Sequence, residues 1–171
     1  ATSEKIAKQS YTDTLMVEVK KIRLLIVQYA GDYRETVKRF AEGGGETYYA
    51  QKYSVDAVAA IGKQIESAAV LCCLTAEPYN EVVQNGVRAI GGGFNKNIQG
   101  KELLPLIEQQ NPTHLLVCTP AFKEVFRWAI KNRVRTVAML SDSFNTKGLR
   151  NKVRNWLLAN LLNNEQIEWV S

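Results

Sequence analysis

Short runs of β-branched and aliphatic residues recur along the chain at 22–28, 69–74, 87–90, 114–119, 134–140 and 167–170. Apolar runs of this length without polar alternation predict strands covered on both faces. Most are separated by segments with helical spacing. Ala50, Tyr53, Ala57, Ile61 and Ile65 predict the inward stripe of one helix, and Leu103, Leu104 and Ile107 that of a shorter one. Thr119 as cap and Pro120 at the first helical position predict the start of a third, continued by Phe122, Val125, Phe126, Ala129 and Ile130. Leu149, Val153, Trp156, Leu157 and Leu161 predict a final amphipathic helix that turns this stripe to the core. Strands alternating with helices specify an α/β domain, a Rossmann-like three-layer sandwich with a mostly parallel sheet. Ligands of such sheets sit beyond the carboxyl ends of the strands, so the loops at 29–46, 75–86, 119–121 and 141–148 are expected to share one edge.

At 171 residues and 46% hydrophobic content, the chain can bury one good core, which predicts a single domain over residues 21–171. Residues 1–20 read as an N-terminal extension, with Met16 a candidate natural start preceded by added sequence. Cys72, Cys73 and Cys118 are odd in number and lie inside apolar runs, which predicts reduced core thiols and a cytoplasmic setting. No apolar stretch reaches the roughly 18 residues of a membrane span. The formal net charge of +5 suits a polyanion or an anionic surface, yet no basic and aromatic interleave of a nucleic-acid reader is present, and nucleic acid is not expected as a partner.

Candidate chemistry gathers at predicted strand ends: Gln28, Asp32 and Arg34, then Glu77, Thr119, and finally Ser141, Asp142 and Ser143. The segment Gly43-Gly44-Gly45-Glu46 precedes a helical pattern. A glycine turn feeding a helix N-terminus presents backbone N–H groups to an anion such as phosphate, and the alternative is a loop that needs glycine at positive φ. Gly86 to Gly91 has the first spacing of a Walker A loop but no following lysine, and neither glycine triplet extends to G-x-G-x-x-G. The single histidine, His114, opens an apolar strand and reads as structural, which excludes a Ser-His-Asp triad. The four aspartates never stand at D-x-D spacing, so no metal is expected.

The order of these features resembles the N-terminal, acceptor-side domain of a family 4-type glycosyltransferase, one half of the GT-B architecture of two facing Rossmann-like domains. Gly43-Gly44-Gly45-Glu46 is similar to the family's Gly-Gly-small-Glu turn, which implies that Gly43, Gly44 and Gly45 face the diphosphate of a nucleotide-sugar donor. The segment Pro112 to Pro120 is similar to the family's fourth-strand segment, with Cys118 at the place of the family histidine; Ser141 stands where a second histidine is common, beside a retained Asp142. The resemblance implies a retaining, metal-independent sugar transfer with the nucleotide-diphosphate sugar as co-substrate and no other cofactor. Asp32, Arg34, Thr119 and Asp142 would hold the acceptor, a carbohydrate or lipid-linked sugar of bacterial surface polysaccharide synthesis, and Cys118 would occupy the catalytic position. It further implies a partner C-terminal domain, without which this chain transfers sugar poorly. A non-catalytic Rossmann-like binding or scaffold domain is the alternative, motivated by Cys118 and Ser141.

Lys131, Arg133, Arg135, Lys147, Arg150, Lys152 and Arg154 face one acidic residue, Asp142, over 131–154. With Trp156, Leu157 and Leu158 they suggest peripheral contact with an anionic membrane at its inner face. The competing reading is a solvated helix face whose apolar side packs on the sheet, favoured because the aliphatic stripe is needed for the core.

Overall fold

A computed structural model describes residues 16, 17, 19, 21–119, 122–139 and 148–170. Its centre is a seven-stranded sheet in the order β3-β4-β2-β1-β5-β6-β7. The strands are β1 (Arg23–Gln28), β2 (Ser67–Cys72), β3 (Pro78–Val82), β4 (Arg88–Gly92), β5 (His114–Val117), β6 (Arg135–Met139) and β7 (Ile167–Val170). All pairings are parallel except β3 with β4. The protein is therefore an α/β domain with a mostly parallel sheet, compatible with a Rossmann-like three-layer sandwich.

Alternation along β1 divides the interior. Leu25 and Val27 join a core with Leu71, Ile90, Leu115 and Val117, closed by α3 (Gly100–Gln110), α4 (Lys123–Lys131) and α5 (Leu149–Leu162). Ile26 points to the opposite face and packs with Val70, Ala89, Tyr33, Val37 and Val55, under α1 (Tyr33–Ala41) and α2 (Gln51–Gly62). Residues deep in both cores, such as Phe126 and Val70, are essentially inaccessible to solvent.

Four local expectations change. The stretch 29–46 is not one loop: Asp32 caps α1, and Tyr33, Val37 and Phe40 turn inward at helical spacing. The stretch 75–86 contains β3, which pairs antiparallel with β4, so the 83–87 turn lies at the amino edge of the sheet. Helix α4 is capped at Phe122, three residues beyond Thr119, and Pro120 lies outside the described residues.

The fourth change concerns which stripe faces inward. Helix α2 packs through Gln51, Val55, Val58 and Ala59, while Tyr53 and Ile61 are exposed. Helix α5 packs through Leu158 and Leu162, while Leu149, Val153, Trp156 and Leu157 face solvent. Both helices carry two apolar stripes, and packing against the sheet selects the other one.

Candidate functional site

Helix α1 leaves β1 on one face of the sheet, and α4 leaves β5 on the other. The two chain paths diverge beyond the carboxyl ends of adjacent strands, which opens a crevice at this reversal of strand order. A cleft of about 730 Å³ occupies it on the α1 and α2 side. Gln28, Tyr29, Gly31, Val70 and Cys118 form its base, Asp32, Thr36, Arg39 and Gln51 its walls, and Thr47 and Tyr48 its rim.

The glycine triplet belongs first to α1. Glu42 is the C-cap, Gly43 follows at φ +79°, and the N–H groups of Gly43 and Gly44 donate to the carbonyls of Phe40 (3.2 Å) and Arg39 (2.8 Å). Such a stop needs the left-handed conformation that glycine adopts without a side-chain clash. Gly44 is glycine for a different reason: a Cβ there would overlap Arg39 Cγ and stand 2.9 Å from the Arg39 carbonyl oxygen. Gly45 has open space on its side-chain direction, and its N–H has no partner among the described residues.

From Gly45 the chain runs through Glu46 to Ala50 before α2 begins, so the triplet does not enter that helix directly. Ala50, at φ +60°, offers α2 no side-chain cap. The Lys52 N–H instead donates to Glu46 Oε1 at 2.6 Å, placing a carboxylate where the helix dipole favours negative charge.

One buried amide holds this loop to both helices. Gln51, 5% exposed, accepts at Oε1 from the Thr47 N–H (2.9 Å), the Thr47 hydroxyl (3.1 Å) and Arg39 Nη2 (3.0 Å), and its Nε2 donates to Thr36 Oγ1 (3.3 Å). Arg39 Nε donates to the Gly45 carbonyl at 3.0 Å. The Arg39 guanidinium thus bonds neutral oxygens, and among the described residues no carboxylate pairs with it. Its positive charge remains for an anion at the cleft wall. Sequence reasoning missed both residues; the signal for Gln51 was a polar side chain four residues before the apolar Val55.

The four residues expected to hold an acceptor do not meet in one cleft. Asp32 lines it, but its Oδ1 accepts from the Glu35 N–H (3.1 Å) and the Tyr79 hydroxyl (2.7 Å), making it the cap of α1. Burial, then the hydrogen bond to Asp32, pushes the Tyr79 hydroxyl pKa up. Arg34 turns toward β3, 3.1 Å from Glu77 and 3.6 Å from both Glu35 and Glu81, with its guanidinium 3.9 Å above the Tyr79 ring. Thr119 lines a second opening of about 490 Å³, across Tyr29 and between α3 and α4. Asp142, with Ser141 and Ser143, lies outside the described residues.

Cys118 follows β5 at the cleft base, its N–H donating to the Val27 carbonyl at 2.9 Å. Burial pushes its thiol pKa up, so the sulfur is protonated at neutral pH and is a weak hydrogen-bond donor rather than a base or nucleophile. Cys72 and Cys73 are free and buried, with pKa values raised by burial to about 11 and about 12. His114 sits at the amino edge, where burial and then Arg135 lower its pKa and Thr113 Oγ1 lies 2.9 Å from Nδ1. Among the described residues no group of three or more His, Cys, Asp or Glu side chains is placed to hold a metal ion.

The arrangement sets a guanidinium bonded to neutral oxygens beside Gly45 and lines the cleft with the polar side chains of Gln28, Asp32 and Thr36. Comparison with known proteins finds no family model, curated protein or solved structure that matches the chain.

Proposed function

We propose that this domain is the acceptor-side half of a retaining, metal-independent glycosyltransferase that moves a sugar from a nucleotide-diphosphate donor to a carbohydrate or lipid-linked acceptor. The observation that supports the reading is the pairing of Arg39, a cation that lines the cleft and is held by neutral oxygens, with the neighbouring open backbone of Gly45. A diphosphate seated there would meet a guanidinium and one free amide, groups that stabilise the negative charge growing on a departing nucleoside diphosphate. Gly43 and Gly44 act as the support that fixes Gly45, since their own amides are already bonded. The remaining electrostatic surroundings would come from the second domain that the family resemblance implies, so this domain alone binds but does not turn over efficiently.

The complete protein, offered a panel of nucleotide sugars, should release nucleoside diphosphate. Arg39→Gln should lower that release on the order of tenfold or more, the scale of a lost charge-assisted hydrogen bond, and Gly45→Ala, which keeps the amide, should lower it by setting a methyl group in the open space where the diphosphate approaches. Release unaffected by both changes would remove the assigned role.

A second reading, a Rossmann-like binding domain without chemistry, is favoured by one feature: the protonated thiol of Cys118 at the position that the resemblance makes catalytic. Nucleoside diphosphate binding without release by the complete protein would select it.

A further inference from the structure

Helix α5 presents an apolar stripe to solvent along its whole N-terminal half. Leu149 is 78% exposed and Trp156 63%, with Val153 between them at helical spacing and Leu157 beside them. The opposite face, Leu158 and Leu162, packs inward, and the helix lies against α4 and β7. The stripe is therefore not needed by the core, which removes the ground for reading it as structural.

Its borders are basic. At 100° per residue, Arg150 and Arg154 fall on one side of the stripe and Lys152 on the other, all three are exposed, and no acidic residue occurs between Leu149 and Leu162. The other basic residues of the segment do not share this surface. Lys131 and Arg133 end α4 at the amino edge, Arg135 lies beside His114 on the other face of β6, and Lys147 is outside the described residues.

Helix α5 returns from the carboxyl edge of β6 to the amino edge of β7, so Leu149 and Val153 lie toward the edge where the cleft opens. Trp169, 56% exposed, occupies the same face of β7 as the buried Ile167, at that same edge. Monomeric proteins rarely leave such a contiguous apolar stripe uncovered. Exposed tryptophans and aliphatic side chains flanked on both sides by cations match the boundary between lipid headgroups and acyl chains.

We propose that the outward face of α5, with Trp156 at its centre, docks on an anionic lipid surface. No helix among the described residues is long and apolar enough to cross a membrane, so the contact lies in the plane of the surface. The proposal goes beyond the sugar-transfer reading and stands without it.

The test is co-sedimentation of this chain with vesicles of phosphatidylcholine alone and of phosphatidylcholine mixed with phosphatidylglycerol. Binding is expected to the mixed vesicles and to weaken as salt shortens the electrostatic range. The triple variant Arg150→Gln, Lys152→Gln, Arg154→Gln should lose on the order of 100-fold in partition, since each cation near an anionic leaflet contributes roughly fivefold. Trp156→Ser, an exposed position, should keep the helical circular dichroism and lose binding. Equal binding to neutral vesicles, unchanged partition of the triple variant, or no binding by the native chain would each overturn the proposal. So would a concentration-dependent dimer abolished by Trp156→Ser, which would give the face to a second copy of the chain.

Discussion

Replacing Gln51 by alanine removes the amide that joins the glycine loop to α1 and α2. Three well-formed hydrogen bonds end on Gln51 Oε1, from the Thr47 N–H, the Thr47 hydroxyl and Arg39 Nη2, at 2.9, 3.1 and 3.0 Å. The fourth, from Nε2 to Thr36, is long at 3.3 Å, and the Thr36 hydroxyl keeps its 2.8 Å bond to the Asp32 carbonyl. At about 0.5–1.5 kcal/mol per bond, with donors at the cleft rim regaining water, the change should cost about 2–3 kcal/mol. Urea unfolding followed by far-ultraviolet circular dichroism would show a lower midpoint at unchanged slope. Amide exchange would show where the loss falls, with the Thr47 N–H exchanging on the order of 10- to 100-fold faster and the β1 amides moving only with global stability. A loss below about 0.5 kcal/mol together with unchanged Thr47 exchange would refute the assignment of Gln51 as the anchor, because three bonds of this geometry cannot vanish without effect.

Gly44→Ala should destabilise by about 1–3 kcal/mol, because a Cβ overlaps Arg39, whereas Gly45→Ala should leave stability within about 1 kcal/mol; chemical denaturation of the pair compares them directly. His114 is the single histidine, and its folded pKa is lowered, so the native state resists its protonation. Its contribution is complete above the unfolded value of about 6.5 and declines as pH falls through that value toward the folded one. Stability of the native chain should drop between about pH 7.5 and 5.5, and His114→Gln should flatten that slope. Buried thiols with pKa values near 11 and 12 should leave Cys72 and Cys73 unreactive toward a thiol reagent at pH near 8 until denaturant is added.

The strands were readable because a parallel sheet covered on both faces demands continuous apolar runs, and six of the seven announce themselves this way. β3 escaped because an edge strand exposed on most of its residues needs no such run: Pro78–Val82 contains Asn80 and Glu81. Its one signal was Asn85-Gly86, the dipeptide of a tight turn between two strands. Helix α1 was hidden inside a polar stretch, although Asp32 and Glu35 mark its start and Tyr33, Val37 and Phe40 its inward face.

The stripes of α2 and α5 were misassigned for a common reason. Each helix has apolar residues on more than one side, and periodicity alone does not reveal which side meets the sheet. Of the candidate site, the strand-end residues Asp32 and Cys118 line the cleft as the sequence suggested, whereas Gly43, Gly44 and Gly45 are not among its lining residues and their neighbours Arg39, Thr47 and Tyr48 are. The sequence could not show that Arg34 is surrounded by Glu35, Glu77 and Glu81 while Arg39 pairs with no carboxylate among the described residues, because that division depends on contacts across the fold, to β3 for one and to Gln51 for the other.

The central claim is that a diphosphate meets the backbone at Gly45 beside the Arg39 guanidinium. Its most direct test is a titration of the isotope-labelled chain with a nucleoside diphosphate, followed by amide and guanidinium nitrogen–proton spectra. The account predicts saturable shifts at the Gly45 amide and Arg39 Nε–H, both absent in Gly45→Ala while the fold is retained. Shifts confined to other parts of the molecule, or none at millimolar ligand, would contradict it.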